Sequence, residues 1–323
     1  MAVCERQDGQ PWIWTRMIKR GRGGKNVANR RTGQNPVVAC YRLPQTAPVT
    51  LWIFAMNFRN AGLTLWLAVL TSAPALAHDT WLIPNRFAVP TESLVQLDLT
   101  SGMSFPALAA AIKPDRVDRA GCRLSAQRLA IADLSPEAKS LRLHASMPGL
   151  GIATCWVALK PRTIELTPRQ VQEYLHEIGA ADSVRQQWNK AAQPKRWREA
   201  YTKEAKTFLR VGAPRPDNSW AEPVGLALEI VPEKDPTTFH AGDTLPVRVL
   251  KTGKPLPMFP MGIVHEGKSR GLIRKTDSQG RVTFRLDRAG RWLLRGTELR
   301  SAPQADGDWE STFTTMTINV KSK

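Results

Sequence analysis

The sequence is short of acid, tyrosine, cysteine and histidine. Its 323 residues include 28 Asp and Glu against 46 Lys and Arg, with three tyrosines, four cysteines and five histidines. Five histidines without a tract exclude a high-capacity metal store. No cysteine sits in a C-x-x-C arrangement, which removes support for redox catalysis. No H-E-x-x-H, G-x-S-x-G or dinucleotide fingerprint occurs, so the chain is not expected to be an enzyme. No apolar run reaches the ~20 residues that a membrane-spanning helix needs. At 42% apolar residues the chain is not disordered, and 24 prolines with long stretches of period-2 alternation exclude an all-helical fold.

The acid deficit gives a formal charge of +18, which at face value suggests a nucleic-acid or anionic-membrane partner. The excess is uneven. Residues 1–77 hold ten basic side chains and two acidic ones, whereas the later charges are mixed in sign with no polybasic block. That is the pattern of a solvated surface, and no nucleic-acid partner is expected.

Met56-Asn57-Phe58-Arg59-Asn60 leads into the apolar run 61–70, and Ala75-Leu76-Ala77 supplies a small-x-small site before His78. Residues 56–77 therefore read as a cleavable secretory signal, leaving a periplasmic protein that starts at His78 without stable membrane insertion. Residues 1–55 lack lasting periodicity and read as a mis-called upstream leader. Cys4 and Cys40 fall in that leader, so Cys122 and Cys155 form the candidate disulfide of the mature chain. A bridge closing that loop contributes about 3–4 kcal/mol in an oxidising compartment.

The expected fold is mainly β, in three parts. Residues 78–165 carry short alternating runs (94–99, 141–144, 152–159) with turn signals at Ser101-Gly102 and Pro148-Gly149, an N-terminal β domain. Residues 166–212 read as a short helical insert: Thr167-Pro168-Arg169-Gln170 fits a capping box with proline at the first helical position. A second helix starts at Asp182 and buries Val184 and Trp188. A third aligns Trp197, Tyr201, Ala205 and Phe208/Leu209. Pro214–Asn218 reads as a linker, and 213–323 as an immunoglobulin-like β-sandwich with alternation at 226–230, 245–249, 282–286 and 316–320.

Seven stretches together carry a family resemblance: His78–Pro84, Tyr201–Gly212, Leu228–Glu233, Ala241–Leu245, Gly253–Leu256, Thr276–Arg281 and Ala289–Arg295. In this order the chain resembles the bacterial domain-of-unknown-function family 4198, exported proteins often grouped with nickel-uptake components. The resemblance implies a periplasmic protein linked to transition-metal handling, with a metal-uptake transporter as partner.

After cleavage, His78 would present an α-amine and an imidazole that can close a chelate ring on Ni(II) or Cu(II). Asp79 could add an oxygen ligand, and His265 is the best second imidazole, ahead of His144 and His240. His176, near a helix C-terminus, is favourable there without function. Gly262–Ser269 matches the phosphate loop letter for letter but lacks the following helix that loop needs, and it is rejected. The tryptophans 81, 156, 197, 220, 292 and 309 could form a sugar-stacking face but are better read as core anchors. The leading expectation is capture of Ni(II) or another divalent ion by His78, Asp79 and His265. The alternative is a periplasmic β-sandwich module that binds a protein or envelope partner without metal. A copper-dependent oxidative enzyme built on His78 ranks last.

Overall fold

The computed structural model describes residues 78–323 apart from 192, 269–270 and 303–307. The leader at 1–55, the signal at 56–77, Cys4, Cys40 and Ser269 lie outside the described residues. Alternation in the sequence becomes strands, as expected. The principal ones before the helices are β1 (Asp79–Pro84), β2 (Ser93–Gly102), β3 (Val117–Leu124), β4 (Leu141–Met147), β5 (Gly151–Leu159) and β6 (Arg162–Leu166). Helices α1 (Pro168–Glu177) and α2 (Asp182–Lys190) follow. Then come β7 (Trp197–Val211), β8 (Leu228–Pro232), β9 (Thr244–Lys251), β10 (Pro260–His265), β11 (Leu272–Lys275), β12 (Arg281–Arg285), β13 (Gly290–Ser301) and β14 (Asp308–Val320).

A ten-stranded sheet runs in the order β11, β10, β13, β14, β7, β5, β3 and Gln127–Leu129, with β6 also paired to β7. A five-stranded sheet built on β1, β2 and β4 and a four-stranded sheet built on β8, β9 and β12 complete the fold. Successive residues of a strand point to opposite faces, and this divides the apolar residues between two cores. Phe208 of β7 and Ile152 of β5 join Leu245, Val247, Phe284 and Met316 in the core of the C-terminal, immunoglobulin-like sandwich. Their neighbours Leu209 and Ala153 join Leu97, Leu99 and Leu143 in the core under the five-stranded sheet. Thus β5 and β7 are walls of both cores. Cys122 of β3 faces Cys155 of β5 in register, and the two are joined as a disulfide inside the second core.

The helices follow local chemistry. The Thr167 side chain accepts from the Gln170 N–H and the Gln170 side chain accepts from the Thr167 N–H, so both halves of the capping box form. Gly179 takes φ +63° just past α1, where a side chain would be strained. Val171, Tyr174, Leu175, Val184 and Trp188 are buried against Trp197, Trp309 and Phe313.

Two expectations are corrected. The third helix is the strand β7: its register runs antiparallel to β5 and β6 and parallel to β14. The segment Trp-Arg-Glu-Ala-Tyr-Thr-Lys-Glu-Ala-Lys is rich in helix formers, but Glu199, Glu204 and Lys206 are buried with dedicated partners, which outweighs propensity. Ser101-Gly102 is not a turn; it pairs with Thr80 and Asp79, and a Cβ on Gly102 would meet the Trp81 ring. Pro214–Asn218 has no regular structure, as in a linker, and is tied at one end: the Asp217 carboxylate accepts from the Ile152 and Ser219 N–H groups and the Ser125 hydroxyl. The tryptophans 81, 156, 197, 292 and 309 are buried, in keeping with anchors rather than a sugar face. The phosphate-loop match belongs to the β10–β11 hairpin.

Lys206 and Glu204 lie on the same face of β7 as Phe208. The Lys206 Nζ donates to the Glu229 carboxylate at 2.7 Å with both side chains almost fully buried. Glu229 also accepts the N–H groups of Val224, Gly225 and Leu226, while Glu204 accepts those of Ala227 and Leu228. Burial pushes the Glu229 carboxyl up, but Lys206 and these N–H groups together hold it below the ordinary carboxylate range. Its contribution to stability is therefore complete at neutral pH and is lost as the pH falls below that range. Removing one partner of a buried pair strands the other charge. Lys206→Met should destabilise the fold by about 3–5 kcal/mol in chemical denaturation, whereas Arg300→Met, at the exposed pair with Glu310, should cost under about 1 kcal/mol. Equal losses would contradict this account.

Candidate functional site

The face of β7 that carries its odd-numbered residues is covered twice, by the helices near Trp197 and by the five-stranded sheet near Leu209. Between the two covers a pocket of roughly 300 Å³ remains open. Its floor is Tyr201 and Lys203 of β7 with Phe313 of β14. Ile164 and Leu166 of β6 and Leu159 of β5 give one apolar wall, and Tyr174 of α1 closes the helical end. Lys113, Arg116 and Arg162 stand around the opening, as does His78.

Glu199 anchors the inner end. One carboxylate oxygen accepts from the Tyr174 hydroxyl at 2.9 Å and from the Ser311 hydroxyl, and the other accepts from the Trp197 indole N–H at 2.8 Å. Burial pushes its pKa above the ordinary value against the pull of these donors. Burial, with Glu199 adjacent, also raises the Tyr174 phenol well above its usual range, so Tyr174 stays a neutral donor. All three donors converge on one acceptor, which fixes the aromatic wall in place.

Lys203 is the central cation. Its Nζ donates to the His78 carbonyl at 2.5 Å and lies 5.4 Å from the Phe313 ring centroid and 5.6 Å from that of Tyr201. Its pKa is drawn down to about 8, first by burial and then by Arg116, against the opposite pull of Asp79 and Glu199. Burial and Lys203 likewise lower the His78 imidazole, against Asp79, so it is neutral at pH 7. The Arg116 guanidinium sits 6.0 Å from the Tyr201 ring.

The structure does not gather the residues expected to bind metal. His78 borders this pocket, but the carboxylate of Asp79 meets the Arg295 guanidinium at 2.5 Å in a neighbouring recess that also holds Glu177. His265 Nε2 is 2.9 Å from the Ala289 carbonyl, and its ring stands edge-on to Trp292 at 4.8 Å; its Nδ1 is buried without a partner. His144 lies 3.8 Å from Asp133, and His240 is exposed where the chain bridges to Lys321. Among the described residues no group of three or more His, Cys, Asp or Glu is placed to hold a metal ion. The residues that do converge, Tyr201, Lys203, Arg116 and Arg162, escaped sequence reasoning. Their signal was the i, i+2 spacing of Glu199, Tyr201 and Lys203, visible only once that segment is a strand.

Comparison with known proteins gives one family and distant structural likenesses. The family profile described as "Domain of unknown function (DUF4198)" matches residues 75–297. No curated protein matches. Among solved structures, the Yersinia pseudotuberculosis adhesin InvE is 12% identical over 73% of this chain and 58% of its own, with a TM-score of 0.21. The D00-D0 domain of intimin is 11% identical over 75% and 98%, with a TM-score of 0.18. Bacteroides ovatus SGBP-B of a mixed-linkage glucan utilization locus, in complex with a mixed-linkage heptasaccharide, is 9% identical over 72% and 44%, with a TM-score of 0.17. The chain thus spans just over half the length of the adhesin, and the fold rests on the strand pairing described above. Among the described residues no helix is long and apolar enough to cross a membrane.

The geometry predicts an unusual titration. After reductive dimethylation with ¹³C-labelled reagent, the Lys203 resonance should titrate near 8 and vanish in Lys203→Gln. A Lys203 midpoint in the ordinary range would mean that it is not desolvated.

Proposed function

We propose that the chain, which belongs to the DUF4198 family, is an exported, non-catalytic binding module of the cell envelope that takes a small ligand in the pocket bordered by His78 and Lys203. The observation that carries this reading is the pocket itself. It is concave, it lies between two covering layers, and its walls combine apolar and aromatic surface with a few convergent polar groups, the usual make-up of a ligand site. The signal-like segment at 56–77 and the Cys122–Cys155 bridge support an oxidising compartment, the periplasm.

A role in nickel uptake remains as the second reading, supported by the family's association with nickel-uptake proteins and by one feature of the site. His78 is neutral at pH 7, the state in which imidazole ligates metal, and cleavage after Ala77 adds its α-amine. In that reading Ni(II) is cargo held by the terminal residue and handed to an uptake transporter, without Asp79 or His265 as ligands.

Native mass spectrometry of the protein recovered from the periplasm, with and without added Ni(II), separates the two readings. We expect a chain starting at His78 that carries no tightly held Ni(II). One specific Ni(II), lost on His78→Ala, would overturn the metal-free reading in favour of metal capture.

A further inference from the structure

The pocket's charge is one-sided in a way that identifies its ligand. Lys203 reaches it from the floor and Arg116, Lys113 and Arg162 from the opening, and none of the four forms an ion pair with a carboxylate among the described residues. Its one lining carboxylate, Glu199, accepts from Tyr174, Trp197 and Ser311 and forms an ion pair with none of the four, and its pull on Lys203, with that of Asp79, is outweighed by burial. Other cations that line a recess do meet carboxylates: Arg295 pairs with Asp79 and Glu177, and Lys251 with Glu298. What sets this pocket apart is that four cations without an ion pair gather around one concavity. Like charges brought together in a half-buried site repel one another, and an anion between them removes the repulsion.

The walls specify the rest of the ligand. Leu159, Ile164 and Leu166 form an apolar slot, faced by the Tyr201 and Phe313 rings, which stand edge to face at 6.3 Å. A bare inorganic anion would leave this surface wet. A ligand with a flat or chain-like apolar body would cover it while its head group meets Lys203 and Arg116, whose planar fork suits a carboxylate.

We propose that the pocket binds a small organic carboxylate with an apolar body, its head group held by Lys203 and Arg116 and its body lying between the apolar slot and the Tyr201 and Phe313 rings. This names the ligand class of the site and rests on the reading of the pocket as a ligand site. Because Lys203 loses its proton near 8, the site weakens as the medium becomes more alkaline.

The test is calorimetric titration of the exported protein with three compounds of one shape, 4-phenylbutyrate, 4-phenylbutanol and 4-phenylbutylamine, and with inorganic phosphate. The acid should bind at least about tenfold more tightly than the alcohol, and the amine and phosphate more weakly still. Arg162→Gln and Lys113→Gln change exposed side chains and should leave the fold intact; each should weaken the acid roughly 3- to 10-fold, and Arg116→Gln more. If the alcohol binds as tightly as the acid, or the charge variants leave the acid's affinity unchanged, the anion assignment fails while the pocket remains a ligand site. Phosphate binding as tightly as the acid would overturn the apolar half of the assignment. Failure of every compound to bind at millimolar concentration would overturn the assignment and the reading of the pocket together.

Discussion

The structure depends on buried charge that meets opposite charge or backbone groups. Lys206 and Glu204 on β7, Glu229 on β8 and Arg123 on β3 are all nearly inaccessible to water. Each holds backbone or an opposite charge in the segment between Asp217 and Glu229. Arg123 donates to the carbonyls of Ser219, Glu222 and Pro223, and the two glutamates take five N–H groups between Val224 and Leu228. The segment joining the two halves of the chain buries Val224 and Leu226 against Trp156 and Ala158 and Leu228 in the C-terminal core. Charged side chains reaching out from neighbouring strands hold its backbone, at the cost of desolvating four ionic groups. Such an arrangement stabilises one geometry and penalises every near miss, because a displaced loop would leave an ion without a partner.

That constraint sets the path of β7, and β7 sets the site. Its even-numbered face commits Glu204, Lys206 and Phe208 to the C-terminal sandwich, so its odd-numbered face must present Glu199, Tyr201, Lys203 and Ala205 to the helices and the five-stranded sheet. The two covers do not meet, and the strip of β7 between them becomes the pocket floor. Glu199 repeats at small scale what Glu229 does at large scale: one buried carboxylate saturated by several donors fixes several elements at once. Lys203, four residues on, forms no ion pair, so burial outweighs the pull of Asp79 and Glu199 and lowers its pKa.

Much of this was legible in the sequence. The capping box at Thr167, the helix starting at Asp182, the strand runs and the Cys122–Cys155 pair follow from local chemistry, and they appear in the structure. The third helix did not, because Trp197–Val211 carries helix-forming residues whose strand conformation is dictated by partners 20 to 110 residues away. The candidate site was hidden for the same reason. Sequence reasoning sought metal ligands among histidines near in type, but Asp79 is engaged by Arg295 and His265 by Ala289, both remote in the chain. A pocket ringed by cations that form no ion pair becomes visible only once the fold has brought β6, β7 and the residues just before β3 together.

The central claim is that β7 unites the two cores into one cooperative body. Native-state hydrogen exchange resolves it: the amides that join β2 to β4 at residues 95–99 lie in one core, and those that join β13 to β14 at residues 292–294 lie in the other. The account predicts that both sets exchange only through the same global opening, with equal free energies and equal dependence on denaturant. Opening of one set at clearly lower free energy than the other, with a smaller denaturant dependence, would show two independently folding halves and contradict it.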